Sequence, residues 1–127
     1  MLILFVIVGY LIGSIPVAWI LTKLVSGQDL RALGSGNVGV MNTALSVHRW
    51  TGALVFLAEL LKGVSAVWVP RYFGADEFVI GCTVIAAFIG TRWPVWLKFR
   101  GGRGNTLGAA ALAVYSPLSI VVVLVIN

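Results

Sequence analysis

Between Arg31 and Asn42 the chain reads R-A-L-G-S-G-N-V-G-V-M-N, with three glycines, one serine, two asparagines and an arginine set between long apolar runs. Gly34, Gly36 and Gly39 permit backbone of positive φ and close approach by a ligand, both of which a Cβ resists. Successive N–H groups exposed in such a turn make an anion-attracting concavity. Ser35 and Asn37 add hydrogen-bonding side chains, Asn42 is expected to order the loop, and Arg31 adds a planar fork of donors matched to phosphate. A second stretch of this kind, K-F-R-G-G-R-G-N-T from Lys98 to Thr106, is more basic. Its Arg100, Gly101, Gly102, Arg103 and Gly104 are expected to cradle a second phosphate. The plain alternatives are tight turns for the glycines and contacts with anionic headgroups for Lys98 and Arg100.

A third polar feature sits inside an apolar run. Glu59 and Lys62 are three residues apart and so share a helix face. Ionisable groups in such a setting are costly and face a protein interior or a wet cavity. They are expected to line a polar site, Glu59 fixing Lys62 and Lys62 offsetting charge; the alternative is an ion pair that locks helices together. Ser35, Asn37 and Lys62 are the candidate catalytic residues, with Arg31, Gly34, Gly36, Asn42, Glu59 and Arg100–Gly104 as substrate contacts. His48 is the single histidine and Cys82 the single cysteine, so the sequence offers no Ser-His-Asp set, metal-ligand cluster or disulfide, and no cofactor is implied. Ser35 has no neighbouring base, which ranks it as a hydrogen-bond donor ahead of a covalent nucleophile.

The elements that must position these residues are apolar. Of 127 residues, 60% are hydrophobic and only 10% charged, with a mean hydropathy of +1.04. A soluble domain of that size could not hide so much apolar surface, so the expected solvent is lipid. The net charge of +5 fits basic loops at a membrane face, and no nucleic-acid partner is expected. The expected fold is all-α, a single polytopic membrane domain over residues 1–127 with about four transmembrane helices and two cytoplasmic glycine-rich loops.

The first run, about Leu2 to Leu21, carries a small-residue face at Gly9 and Gly13 and a kink at Pro16 in its last turns. It lacks the preceding basic residues of a signal peptide and is read as retained. The second runs from about Thr51 to Val69, followed by a loop from Trp68 to Glu77. The third, Phe78 to Gly90, has 13 residues, short for a span, and must either borrow from its flanks or lie tilted or re-entrant. The fourth is expected from Thr106 towards Ile126, capped by Asn105 or Thr106 and holding Pro117. His48, Arg49 and Trp50 read as an interfacial cluster. Lys23, Arg31 and Arg49 fall in the same compartment as Arg92, Lys98, Arg100 and Arg103, whereas the opposite side has Arg71 beside Asp76 and Glu77. The positive-inside rule puts the N-terminus outside and both glycine loops in the cytoplasm.

Four stretches together resemble the bacterial acyl-phosphate:glycerol-3-phosphate acyltransferase family (PlsY type). G-S-I-P at Gly13–Pro16 resembles the end of that family's first helix. Asp29–Asn42 resembles its D-I-R-x-x-G-S-G-N-x-G-A-T-N loop, and Glu59–Gly63 its D-x-x-K-G, with Glu for Asp. Gly90–Gly104 resembles G-H-x-x-P-x-x-L-K-F-K-G-G-K-G. The resemblance implies a multi-span enzyme of phospholipid synthesis in the plasma membrane. It would transfer an acyl group from acyl phosphate to glycerol 3-phosphate, giving lysophosphatidate without a cofactor. The expected partners are those two substrates and membrane lipids. The family's mechanism implies direct attack, with the acyl phosphate's own phosphate taking the proton. Thr91 stands where the family has histidine, Leu45 where an arginine usually follows the first loop, and the family's chain continues to a third motif beyond the point matched by Asn127. These departures motivate a second reading, a shortened inactive paralogue that binds anionic lipid or supports a membrane complex. Glu59 and Lys62 motivate a third, a small transporter subunit.

Overall fold

The computed structural model describes residues 1–116 and residue 125. Within them the chain forms α1 (Leu2–Ser14), α2 (Val17–Ser26), α3 (Val40–Ser46), α4 (Arg49–Tyr72), α5 (Glu77–Arg92) and α6 (Asn105–Tyr115). Two 3-10 turns, Leu30–Ala32 and Val95–Leu97, precede α3 and α6, and no strand is present among the described residues.

Pro16 does more than bend the first run. It divides the expected single helix into α1 and α2, with Ile15 extended at φ −63° and ψ 110°. Proline lacks an N–H, and its ring disfavours helical backbone at the preceding residue. The break leaves carbonyls at the end of α1 without helical partners. Even so, Leu2–Ser26 remains, with Arg49–Tyr72 and Glu77–Leu97, one of three segments among the described residues that are long and apolar enough to cross a membrane.

The other boundaries differ from expectation in a consistent direction, since helices run further than hydropathy suggests. α4 continues through Pro70 to Tyr72, so the loop expected from Trp68 shrinks to residues 73–76. The short third run borrows from both flanks, starting at Glu77 under an Asp76 cap whose carboxylate accepts the Val79 N–H at 3.0 Å. α6 begins at Asn105, but neither Asn105 nor Thr106 caps it; the cap position is Gly104, in left-handed backbone at φ 78°. The expected continuation towards Ile126, with Pro117, lies outside the described residues.

Small residues let the helices touch backbone to backbone. A Cβ at Gly9 or Gly13 of α1 would collide with the carbonyls of Thr83 or Ala87 on α5, and one at Gly63 of α4 with Leu107 O on α6. Such contacts drive helix association in lipid, where hydrophobic burial between helices gains little. Ala66, Ala87 and Leu107 fill one core where α4, α5 and α6 meet, and Val67, Ile80 and Ala111 a second. Large apolar side chains such as Ile3, Leu61 and Phe78 point outward, as the hydrocarbon of a bilayer requires.

Candidate active site

The first glycine loop is built on a fixed base. Leu30, fully buried, packs with Ala18 and Val55, anchoring the 3-10 turn to α2 and α4. Beyond it Gly34 and Gly36 take left-handed backbone, at φ 49° and 75°, whereas Gly39 is extended at φ −156° and needs no glycine on that account. Asn42 on α3 reaches back and ties the loop together. Its Nδ2 donates to Leu33 O at 3.0 Å and Asn37 O at 2.9 Å, and its Oδ1 accepts from Ser35 N at 3.2 Å and Ser46 Oγ at 2.9 Å. The Gly36 N–H donates to Leu33 O at 2.8 Å. The amides of Ser35 and Gly36, expected to face a ligand, are thus engaged inside the loop. Ser35 itself is exposed at the loop surface.

The second loop is held in the same way. Lys98 and Phe99 are non-glycine residues in left-handed backbone, at φ 53° and 62°, a conformation that costs on the order of 1–2 kcal/mol per residue. The Phe99 N–H donates to Pro94 O at 2.9 Å, Gly101 N–H to Arg92 O at 3.1 Å and Gly102 N–H to Thr91 O at 3.2 Å. The amides of Gly101 and Gly102, expected to cradle a phosphate, are therefore tied to the end of α5. Their lack of side chains serves packing instead. A Cβ on Gly101 would strike Thr91 O, and one on Gly102 would strike Val38 O in the first loop. The two glycine loops meet there.

Glu59 and Lys62 are both buried, and Lys62 Nζ lies 2.9 Å from Glu59 Oε1. The same ammonium donates to Gly13 O at 3.3 Å and to Ile15 O. It satisfies the carbonyls that the Pro16 break sets free, so its three N–H donors are committed within the protein. Thr91 Oγ1 also donates to Gly13 O, at 3.0 Å. The geometry matches the helix-locking alternative for the pair, although Glu59 also faces a cavity.

That cavity, about 450 Å³, lies under the junction of the loops and is lined by Asn37, Glu59, Thr91, Arg103, Asn105 and Thr106 among others. The first turn of α6 opens onto it. The leading N–H groups of a helix have no intrahelical partner and carry the positive end of its dipole, which favours an anion. A smaller cavity of about 310 Å³ shares Asn37 and Arg103 and adds Arg92, Trp93, Phe99 and Arg100. None of the chain's four acidic residues lines it. A third groove, about 610 Å³ and apolar, runs along the α1–α2 break past Ile12, Pro16, Trp19 and Trp96. Among the described residues no group of three or more His, Cys, Asp or Glu could hold a metal ion.

Of the candidate catalytic and substrate-contact residues, Asn37, Glu59, Arg100, Gly101, Gly102, Arg103 and Gly104 line the two polar cavities, and Asn42 stands behind them. Arg31, Gly34, Ser35, Gly36 and Lys62 line neither. Arg31 turns away to form a bidentate pair with Asp29, at 3.1 Å and 2.8 Å, and donates to Leu97 O at 3.2 Å. The Arg31 fork holds the Asp29 carboxyl well below the usual carboxylate range, and Asp29 in turn raises Arg31. The contribution of Asn105 and Thr106 was missed. The available signal was a polar pair opening an apolar helix directly after a basic glycine turn.

Fold and site define a multi-pass integral membrane protein with a cation-lined cavity beneath two glycine loops. The glycerol-3-phosphate acyltransferase family model matches residues 3–127, and the chain belongs to that family. A glycerol-3-phosphate acyltransferase of Rubrobacter xylanophilus is 39% identical over 115 residues, 91% of this chain and 57% of the relative. One from Bradyrhizobium is 46% identical over 98 residues, 77% of this chain and 49% of the relative. The chain thus spans about half the length of the curated relatives it matches. Among solved structures it is similar to PlsY (YgiH), an integral membrane glycerol 3-phosphate acyltransferase. The glycerol 3-phosphate form is 34% identical with a TM-score of 0.85, covering 98% of this chain and 62% of that one. The lysophosphatidic acid form is 31% identical with a TM-score of 0.79, covering 98% and 61%.

Proposed function

We propose that this chain forms the part of a membrane acyltransferase that transfers an acyl group from acyl phosphate to glycerol 3-phosphate, releasing lysophosphatidate and inorganic phosphate. The observation that carries the reading is the make-up of the larger polar cavity. Arg103 and the first turn of α6 supply positive potential from one wall, and the Glu59 carboxylate comes from another, on α4. A molecule with a phosphate at one end and hydroxyls at the other suits that contrast. The phosphate is drawn to the cations, and the hydroxyls donate to the carboxylate. The solved relative in its glycerol 3-phosphate form supports the same choice of acceptor.

An acyl phosphate is already activated, so the protein's task is alignment. The acceptor hydroxyl attacks the acyl carbonyl, the bond from acyl carbon to phosphate oxygen breaks, and the departing phosphate takes the proton. Holding the reactants in register is worth on the order of 7–11 kcal/mol. In this scheme Asn37 and Arg103 stand between the two polar cavities and contact both phosphates. Arg100 and Arg92 offset charge in the smaller one, and Ser35 donates from the loop surface to a phosphate or to the reacting carbonyl oxygen. The acyl chain lies in the apolar groove beside Trp19 and Trp96, reached from the bilayer. The charge asymmetry of the loops supports a cytoplasmic site, with the N-terminus outside.

Thr91 and the exposed Leu45 favour one second reading, an inactive paralogue that keeps an anionic-lipid site. Membranes from cells expressing the chain in its native gene context, supplied with acyl phosphate and glycerol 3-phosphate, separate the two. Lysophosphatidate formation that falls markedly, at glycerol 3-phosphate below saturation, in Ser35→Ala and Arg103→Ala is expected. Normal insertion without turnover transfers the assignment to the lipid-binding paralogue.

A further inference from the structure

We infer that Arg31 is a positioning residue for the second glycine loop, acting through the Leu97 carbonyl and not by touching substrate. The guanidinium is occupied on two sides. Nε and Nη2 meet the two oxygens of Asp29, and Nη1 reaches 66 positions along the chain to Leu97 O. Asp29 is itself fixed, because its Oδ1 accepts the Arg31 N–H at 2.9 Å and caps the 3-10 turn. That turn rests on fully buried Leu30. The clasp therefore joins a rigid base in the first loop to the last residue of the Val95–Leu97 turn.

Leu97 is where such a hold is most needed. Lys98 and Phe99 follow it in left-handed backbone, and strained conformations persist only when the surroundings over-determine them. Leu97 O also accepts the Arg100 N–H, at 3.2 Å, so the carbonyl that Arg31 grips is the one from which the basic loop turns. Three residues further on, Arg103 reaches the polar cavity. A lysine at position 31 would keep the charge but could not serve the carboxylate and the carbonyl in one plane.

The kinetic part of the test rests on the acyltransferase reading; the structural part does not. The full chain in lipid nanodiscs, with Arg31→Lys and Asp29→Asn variants, is exposed to trypsin. Cleavage after Lys98, Arg100 and Arg103 is followed by fragment mass, with cleavage after Arg71, in the last turn of α4, as the control. Each variant is expected to raise cleavage in the second loop about tenfold, the scale of losing one charged hydrogen bond, with Arg71 unchanged. Both are also expected to raise KM for glycerol 3-phosphate. If Arg31 gripped the phosphate itself, Asp29→Asn would free the guanidinium and lower KM while Arg31→Lys raised it; that split overturns the inference. Unchanged loop cleavage, or a matching rise at Arg71, overturns it too. Loop cleavage that rises as expected while even the wild-type chain turns nothing over upholds the clasp and removes the acyltransferase reading.

Discussion

Gly102 lies so close against the carbonyl of Val38 that no Cβ fits between them. Sixty-four positions separate the two residues in sequence, yet this contact sets the spacing of the two glycine loops. Asn37, next to Val38, and Arg103, next to Gly102, are the residues shared by both polar cavities.

Gly102→Ala is therefore expected to push the loops apart. Overpacking of this kind costs about 1–3 kcal/mol, and the displacement falls on the site. Acyl transfer should drop at least about tenfold while helix content by circular dichroism is unchanged. Gly27→Ala is the control. Gly27 is left-handed, at φ 70°, but an added methyl group there would meet nothing within 4 Å, so the variant should lose a little stability and no activity.

Lys62→Met should be among the most damaging single changes outside the loops. It leaves Glu59 buried without its partner and the Gly13 and Ile15 carbonyls short of a donor. Breaking a buried pair from one side costs about 3–5 kcal/mol. Thermal unfolding in detergent measures it, and the double variant Glu59→Leu/Lys62→Met should recover part of the loss.

Arg103→Ala is expected to raise KM for glycerol 3-phosphate about tenfold or more, the usual scale for a lost charge-assisted hydrogen bond. Because the first turn of α6 remains, some affinity should persist. Steady-state rates with glycerol 3-phosphate varied at saturating acyl phosphate supply the comparison.

The Asp29–Arg31 clasp gives a pH dependence of fixed sign. Arg31 depresses the Asp29 carboxyl in the folded chain, so its stabilisation is complete above the unfolded value near about 4 and fades as pH falls below that. The difference in melting temperature between wild type and Asp29→Asn should be flat from neutral pH down to about pH 4 and shrink in more acid solution.

Composition and spacing disclosed the lipid solvent, both loops and the common face of Glu59 and Lys62, because these are local properties of the chain. Helix ends were less legible. Hydropathy falls at Trp68 and Gly90, but backbone hydrogen bonding continues to Tyr72 and Arg92, where satisfied carbonyls outweigh side-chain polarity. Glycine patterns pointed correctly to close approach but not to what approaches. At Gly102 it is the other loop's backbone; the amides of Gly36 and Gly101 are spent on carbonyls nearby. The destination of Arg31 was hidden for a different reason. A guanidinium matches carboxylate, carbonyl and phosphate alike, and only the folded chain brings Leu97 O within reach.

The break at Pro16 also constrains how the chain enters the bilayer. α4 inserted alone would carry Glu59 and Lys62 into hydrocarbon with only each other, and a charge at mid-membrane costs about 2.5–3.5 kcal/mol on insertion scales. The interrupted first segment supplies the Gly13 and Ile15 carbonyls that complete the ammonium's shell. The two segments are thereby coupled in the bilayer: each supplies polar groups that the other would otherwise leave without partners.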